Sequence, residues 1–62
     1  MDIDDLMDYI TDAVWFKQEE NDLDIIENIR TFKDAMLLTS NEGLIIKCDD
    51  GSEFQVTFVK SK

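Results

Sequence analysis

The sequence predicts an α+β fold in one domain, residues 1–62, with an N-terminal amphipathic helix packed on a small antiparallel β-sheet. Three observations favour this class. Apolar residues recur at helical spacing near the N-terminus. Two short apolar segments near the C-terminus flank an Asp-Asp-Gly loop. A chain of 62 residues can bury only one small core. The helix is expected over about 3–17 and the β-rich part over about 25–60.

The predicted helix has one apolar stripe and one acidic side. The apolar side chains lie at i, i+3, i+4 and i+7: Ile3, Leu6, Met7, Ile10, Ala13 and Val14. On the helical wheel Asp5, Asp8 and Asp12 lie opposite this stripe. Asp2 precedes the stripe, where a carboxylate can cap the first turn.

The middle of the chain gives weaker secondary-structure signals than its two ends. Residues 18–24 break the apolar stripe and predict a loop. Residues 25–33 fit a strand or a second helix that begins at Asp22; we favour the strand, because a stable sheet needs more than two strands. Residues 35–39 fit a short strand or a helical turn, and the Asn-Glu-Gly sequence at 41–43 predicts a turn.

The C-terminal hairpin is the clearest β signal. Its strands, Leu44–Cys48 and Glu53–Val59, flank a three-residue loop in which Gly51 adopts the left-handed conformation, giving a type I turn with a bulge. This loop fixes the cross-strand pairs: Leu44 with Val56, Ile46 with Phe54, Lys47 with Glu53 and Ile45 with Gln55. We expect Phe54, Val56 and Phe58 to supply the sheet's side of the core, and Cys48 to be a buried structural thiol.

Composition excludes most chemistry. The chain has no histidine and one cysteine, which removes Ser-His and Cys-His catalysis, cysteine zinc sites and disulfides. The acidic segments 21–24 and 49–53 do not extend into a twelve-residue calcium loop. We therefore expect no enzyme, no catalytic residue, no cofactor and no metal site.

The charge is concentrated at one end of the chain. Ten of the 15 acidic residues and one of the 6 basic residues lie in the first 27 positions, so this segment carries the whole net charge of −9. Such a charge disfavours direct binding to nucleic acid or to an anionic membrane. The acidic N-terminus lacks the basic region of a signal peptide, and a lone cysteine suits a reducing compartment, so we expect a cytoplasmic protein without a membrane span.

The acidic side of the helix is a candidate ligand surface. Asp5, Asp8 and Asp12 follow one another at axial rises of about 4.5 and 6 Å, similar to the spacing of phosphates along a DNA strand. A rigid helix of this kind could occupy the basic groove of a nucleic-acid-binding protein. The expected partner-binding residues are the acids of the helix and its ends with two aromatics: Asp2, Asp4, Asp5, Asp8, Asp12, Trp15, Phe16, Glu19 and Glu20.

The two aromatic residues allow two interpretations. Either the helix ends near Val14 and both Trp15 and Phe16 fold under the sheet, or one ring is exposed and anchors a partner. The alternative function is a small structural or assembly module, a homodimer using these aromatics and the outer sheet face. In that case the acidic face serves only solubility.

The run from Gly43 to Val59, with its Asp-Asp-Gly hairpin, resembles the C-terminal part of short uncharacterised proteins of tailed phages. Size and acidity are also similar to those of small phage inhibitors that imitate DNA, including some anti-CRISPR proteins. The resemblance implies a host bacterial cytoplasm and a host nucleic-acid-binding target, and it brings no catalytic residues.

Overall fold

One helix and three strands make up the fold. The computed structural model describes residues 1–22, 24–37 and 40–62. In chain order the elements are α1 (Ile3–Glu20), β1 (Ile26–Thr31), β2 (Glu42–Cys48) and β3 (Glu53–Phe58). The strands form one antiparallel sheet in the order β1-β2-β3. This arrangement confirms the α+β class.

Helix α1 begins where the sequence predicts and ends later. The Asp2 carboxylate accepts a hydrogen bond of 2.9 Å from the backbone N–H of Asp5, which caps the first turn. The prediction of a loop from residue 18 was wrong for 18–20, which are helical. At the other end the Asn21 side chain donates a 2.8 Å bond to the Lys17 carbonyl.

The hairpin confirms the predicted register. The four predicted pairs are all present between β2 and β3. Gly51 has φ +92, and its N–H donates to the Cys48 carbonyl while the Cys48 N–H donates to the Ser52 carbonyl. These bonds define the three-residue loop with its bulge. The Asp50 carboxylate accepts hydrogen bonds from the side chain and the backbone N–H of Ser52, which lower its pKa below the usual 3.8.

Strand β1 confirms the favoured prediction of a strand within residues 25–33, although residues 32 and 33 belong to the turn that follows it. It pairs with β2 through a register shift between Ile26 and Asn28. Two ion pairs cross the sheet, Arg30 with Glu53 at 3.7 Å and Lys47 with Glu27 at 3.8 Å. Lys47 and Glu53 are cross-strand partners as predicted, yet each pairs its charge with a residue of β1.

The core is small. The buried apolar side chains are Met7, Phe32, Leu44, Ile45 and Cys48. The predicted burial of Cys48 is confirmed. The prediction that Phe54 and Val56 supply the core was wrong, because they are 58% and 38% exposed. Helix α1 contacts β2 and leaves most of β3 uncovered, so only Phe58 of the three is half-buried.

A single helical turn follows β1. The Thr31 hydroxyl oxygen accepts a 3.0 Å bond from the Asp34 N–H, and the Thr31 carbonyl accepts one from the Ala35 N–H. For residues 35 and 36 the structure therefore has the helical turn and not the strand. The predictions for Leu23, Leu38 and Thr39 lie outside the described residues.

This turn ends in a left-handed residue that is not glycine. Met36 has φ +59. The Leu37 N–H donates to the Phe32 carbonyl and the Met36 N–H to the Lys33 carbonyl, which is the bond pair of a Schellman motif. A side chain at the left-handed position raises the free energy of the folded state, because its Cβ approaches the backbone.

Replacing Met36 by glycine is expected to stabilise the protein by about 1 kcal/mol, since glycine adopts this conformation without strain and the exposed methionine loses little burial. Urea unfolding measures the change. Met36→Ala keeps the Cβ and serves as the control. A glycine variant no more stable than the alanine variant would contradict the assignment of strain to this residue.

Gly43 is part of β2, so the turn predicted at 41–43 was wrong for residues 42 and 43, while residues 40 and 41 form a bend before the strand. The Phe32 ring and the Val56 carbonyl lie against its Cα, where an added Cβ would overlap both. The glycine therefore provides room for a buried ring next to a strand backbone.

Gly43→Ala is expected to lower the free energy of unfolding by about 1–3 kcal/mol, because the ring and a strand carbonyl must both shift. Thr57→Ala, at the paired and exposed position on β3, is the control and should change stability by less than about 0.5 kcal/mol. Equal stability of the two variants would show that the contact at Gly43 is relieved without cost.

Candidate functional site

Gln18 fixes the end of α1 to the sheet. Its side chain is buried. Its Nε2 donates a 3.2 Å bond to the Ile26 carbonyl, and the Ile26 N–H donates to its Oε1. Ile26 is the first residue of an edge strand, so the amide satisfies backbone groups that β2 does not reach. Together with the buried Met7 of the apolar stripe, this pair determines the rotation of α1 about its axis and therefore which helix residues face solvent.

With that rotation, one face of α1 is acidic. Five exposed carboxylates fall within an arc of about 100° on the helical wheel: Asp4, Asp5, Asp8, Asp12 and Glu19. From the first to the last they extend over about 22 Å of helix axis. We call these five residues the acidic face.

No cation of the protein neutralises the acidic face within residues 1–22, 24–37 and 40–62. The two ion pairs there use Glu53 and Glu27, both on the sheet. Lys17, the base nearest in sequence, lies on another side of the helix beside Ile25 and Ile26. The acidic face is therefore uniformly negative and open to solvent.

The other predicted site residues divide into two groups. Asp2 uses its carboxylate for the helix cap, and Glu20 lies beside Phe16 and Glu19 at the end of α1. Trp15 is 37% and Phe16 67% exposed. The interpretation in which both rings fold under the sheet was wrong, because the helix does not end near Val14.

Because residues 15 and 16 are both helical, the side chains of Trp15 and Phe16 leave α1 in directions about 100° apart. On the wheel Trp15 falls inside the arc of the acidic face, and Phe16 lies about 20° beyond it. An aromatic ring among carboxylates offers a partner apolar area next to charge, a combination common at interface hot spots. On the wheel Trp15 thus falls between Asp4 and Asp8.

Sequence reasoning missed an apolar groove beside the acidic face. It has a volume of about 560 Å³ and runs between α1 and the start of β1. Its lining includes Tyr9, Ala13 and Ile25, with Phe16 next to Tyr9 and Ala13. The signal was the spacing of Tyr9, Ala13 and Phe16 at i, i+4 and i+7, a second apolar line on the helix.

Metal binding and membrane insertion are two further possibilities that the described part of the chain allows us to examine. No cluster of three or more histidine, cysteine, aspartate or glutamate side chains there is arranged to hold a metal ion. None of the helices in that part has the length and hydropathy needed to span a bilayer. Comparison with protein-family models, with curated proteins and with solved structures finds no match for this chain.

Replacing Gln18 by methionine, which has similar length and helix propensity, removes both hydrogen bonds to Ile26. We expect a loss of about 1–3 kcal/mol in the free energy of unfolding, because backbone groups lose their partner. Faster amide exchange at Ile26 should accompany it. Glu20→Met, at an exposed helix position, is the control and should be near neutral. Unchanged stability and exchange in Gln18→Met would refute this anchoring role.

Proposed function

We propose that this chain is a non-enzymatic binding protein whose acidic face occupies a basic, nucleic-acid-binding groove of a partner protein. The observation that carries the proposal is the un-neutralised acidic face on a helix of fixed rotation. In this proposal the partner is a host protein of the bacterial cytoplasm, and the chain acts as an inhibitor of the phage type.

The charge density of the acidic face supports this proposal. The five carboxylates are separated by about 5.6 Å of axis on average, and the first four, from Asp4 to Asp12, by about 4 Å. One strand of duplex DNA carries one phosphate per about 3.4 Å of axis. Lysine and arginine side chains spaced for phosphates can therefore meet these carboxylates one after another, with charge-assisted hydrogen bonds.

The rigidity of α1 also supports the proposal. The cap at Asp2 and the anchor at Gln18 hold the two ends of α1. Carboxylates on such a helix lose little conformational freedom on binding beyond that of their own short side chains. Asp8 and Asp12 lie between the two fixed ends, and Trp15 adds apolar contact beside them.

The test compares two variants of equal charge. Asp5/Asp8/Asp12→Asn neutralises the acidic face, and Asp24/Asp34/Asp49→Asn removes three exposed carboxylates elsewhere. Each changes the net charge from −9 by the same amount. A bacterial lysate is bound to immobilised duplex DNA at low salt, and wild-type protein is used to displace the bound proteins. Circular dichroism confirms that both variants are folded.

We expect the wild-type chain and the off-helix variant to release a DNA-binding protein, and the acidic-face variant to release at least about tenfold less at equal concentration, because three charge-assisted contacts are lost. Direct titration of the released protein measures the same ratio, and its affinity should fall as salt rises. Equal release by both variants, or no release by wild type, would reject the proposal.

A further inference from the structure

The molecule exposes more surface than a compact monomer of its size. Its accessible surface is 4974 Å², whereas a folded 7.2 kDa chain is expected to expose about 4,100 Å². Its radius of gyration is 12.3 Å against about 10.6 Å for a compact domain of this length. The excess of about 900 Å² is close to the area of about 800 Å² that each partner buries in a standard protein interface.

Part of this surface lies on β3. Phe54 and Val56 lie on the same sheet face as Phe58, which lines a pocket with Ile3 and Leu6 of α1. Yet they are 58% and 38% exposed, and Val59 beyond the strand is also exposed. β3 is an edge of the sheet. Natural edge strands are commonly blunted by proline, lysine or a bulge. Positions 53–58, Glu-Phe-Gln-Val-Thr-Phe, contain no proline or lysine, and their pairing with β2 has no register shift.

The hydrogen-bond pattern shows which backbone groups of β3 point away from β2. The Cys48 N–H bonds to the Ser52 carbonyl, so Phe54 and Val56, which alternate with this pair, also bond towards β2. The N–H and C=O groups of Gln55 and Thr57 therefore point away from the sheet. They are free to pair with another strand along a straight edge.

We propose that a second copy of this chain pairs antiparallel with β3, joining two sheets into one of six strands. The register that places Val56 opposite Val56 also places Phe54 opposite Phe58 and Gln55 opposite Thr57. Apolar side chains then meet on the face that carries α1, and polar ones meet on the other.

Charge complementarity favours a second copy of the chain as the occupant. The turn before β3 is acidic, with Asp50, and the segment after it is basic, with Lys60 and Lys62. Antiparallel pairing brings the basic end of each copy towards the acidic turn of the other. A two-fold axis repeats this contact twice.

The dimer keeps both α1 helices on the same face of the six-stranded sheet. The acidic faces are not part of the new contact, so the proposal is independent of the proposed function. Two copies of net charge −9 repel each other at long range, and salt screens this repulsion. The charge contacts at the ends of the paired strands are exposed and contribute little, so the repulsion between the two copies dominates. Dimerisation should therefore strengthen as salt rises, whereas binding of the acidic face to a basic partner should weaken.

Sedimentation of the full chain up to about 1 mM, at low and high salt, tests the pairing. We expect twice the monomer mass of 7.2 kDa for wild type, with slowed amide exchange at Gln55 and Thr57 in the dimer. Gln55→Pro removes an outward N–H without breaking a bond to β2, and it should weaken dimerisation at least about tenfold. Gln55→Ala is the matched control and should remain dimeric.

A second variant keeps the test decisive if Gln55→Pro disturbs folding. Thr57→Lys retains the strand and brings a new cation of each copy close to the two-fold axis, so it should also favour the monomer. A monomer at every concentration, or a dimer that persists in folded Gln55→Pro and Thr57→Lys, would overturn the proposal. So would a dimer lost only on Phe16→Ser, which would locate the contact at the apolar groove.

Discussion

The buried amide of Gln18 is the interaction on which the arrangement of this molecule depends. A glutamine side chain presents one donor and one acceptor close together, as the backbone of a strand residue does, and both are used by Ile26. With a small apolar core, packing alone would define the rotation of α1 weakly. The directional pair joins one end of the helix to the start of β1, and at the other end Ile3 and Leu6 line a pocket together with Phe58 at the end of β3, so the helix lies diagonally across the sheet.

This diagonal placement leaves two surfaces of opposite character. A helix of 18 residues is about 27 Å long and about 10 Å wide, so it covers one band of a three-stranded sheet and no more. The acidic face points away from the sheet, and the β3 edge remains open beside it. The first surface suits a cationic partner and the second suits a strand. The two proposed interactions are expected to respond to salt in opposite directions, which would allow them to be studied separately in one protein.

Local signals determined the parts of the fold that sequence could predict. The Asp-Asp-Gly loop was sufficient to predict the hairpin register, and the apolar stripe was sufficient to predict α1. The end of α1 could not be predicted, because Gln18 is polar and gains its place only through Ile26, a partner eight residues away. In the sequence, Gly43 suggests a turn. That it leaves room for the Phe32 ring is visible only in the tertiary structure. The acidic face followed from the helical wheel, whereas the positions of Trp15 and Phe16 depended on that unpredicted helix end.

The carboxylates of the acidic face repel one another, and interactions elsewhere in the fold must offset this repulsion for α1 to be stable. Asp4 with Asp8, Asp5 with Asp8, and Asp8 with Asp12 are like-charge pairs at helical neighbour spacing, each destabilising by about 0.2–0.5 kcal/mol. The helix dipole offsets this for Asp4 and Asp5 in the first turn, and not for Asp8 or Asp12. The bases that form ion pairs, Arg30 and Lys47, lie on the sheet. Cations from a partner would remove this repulsion on binding, so the strain in the free helix would add to the affinity of the proposed complex.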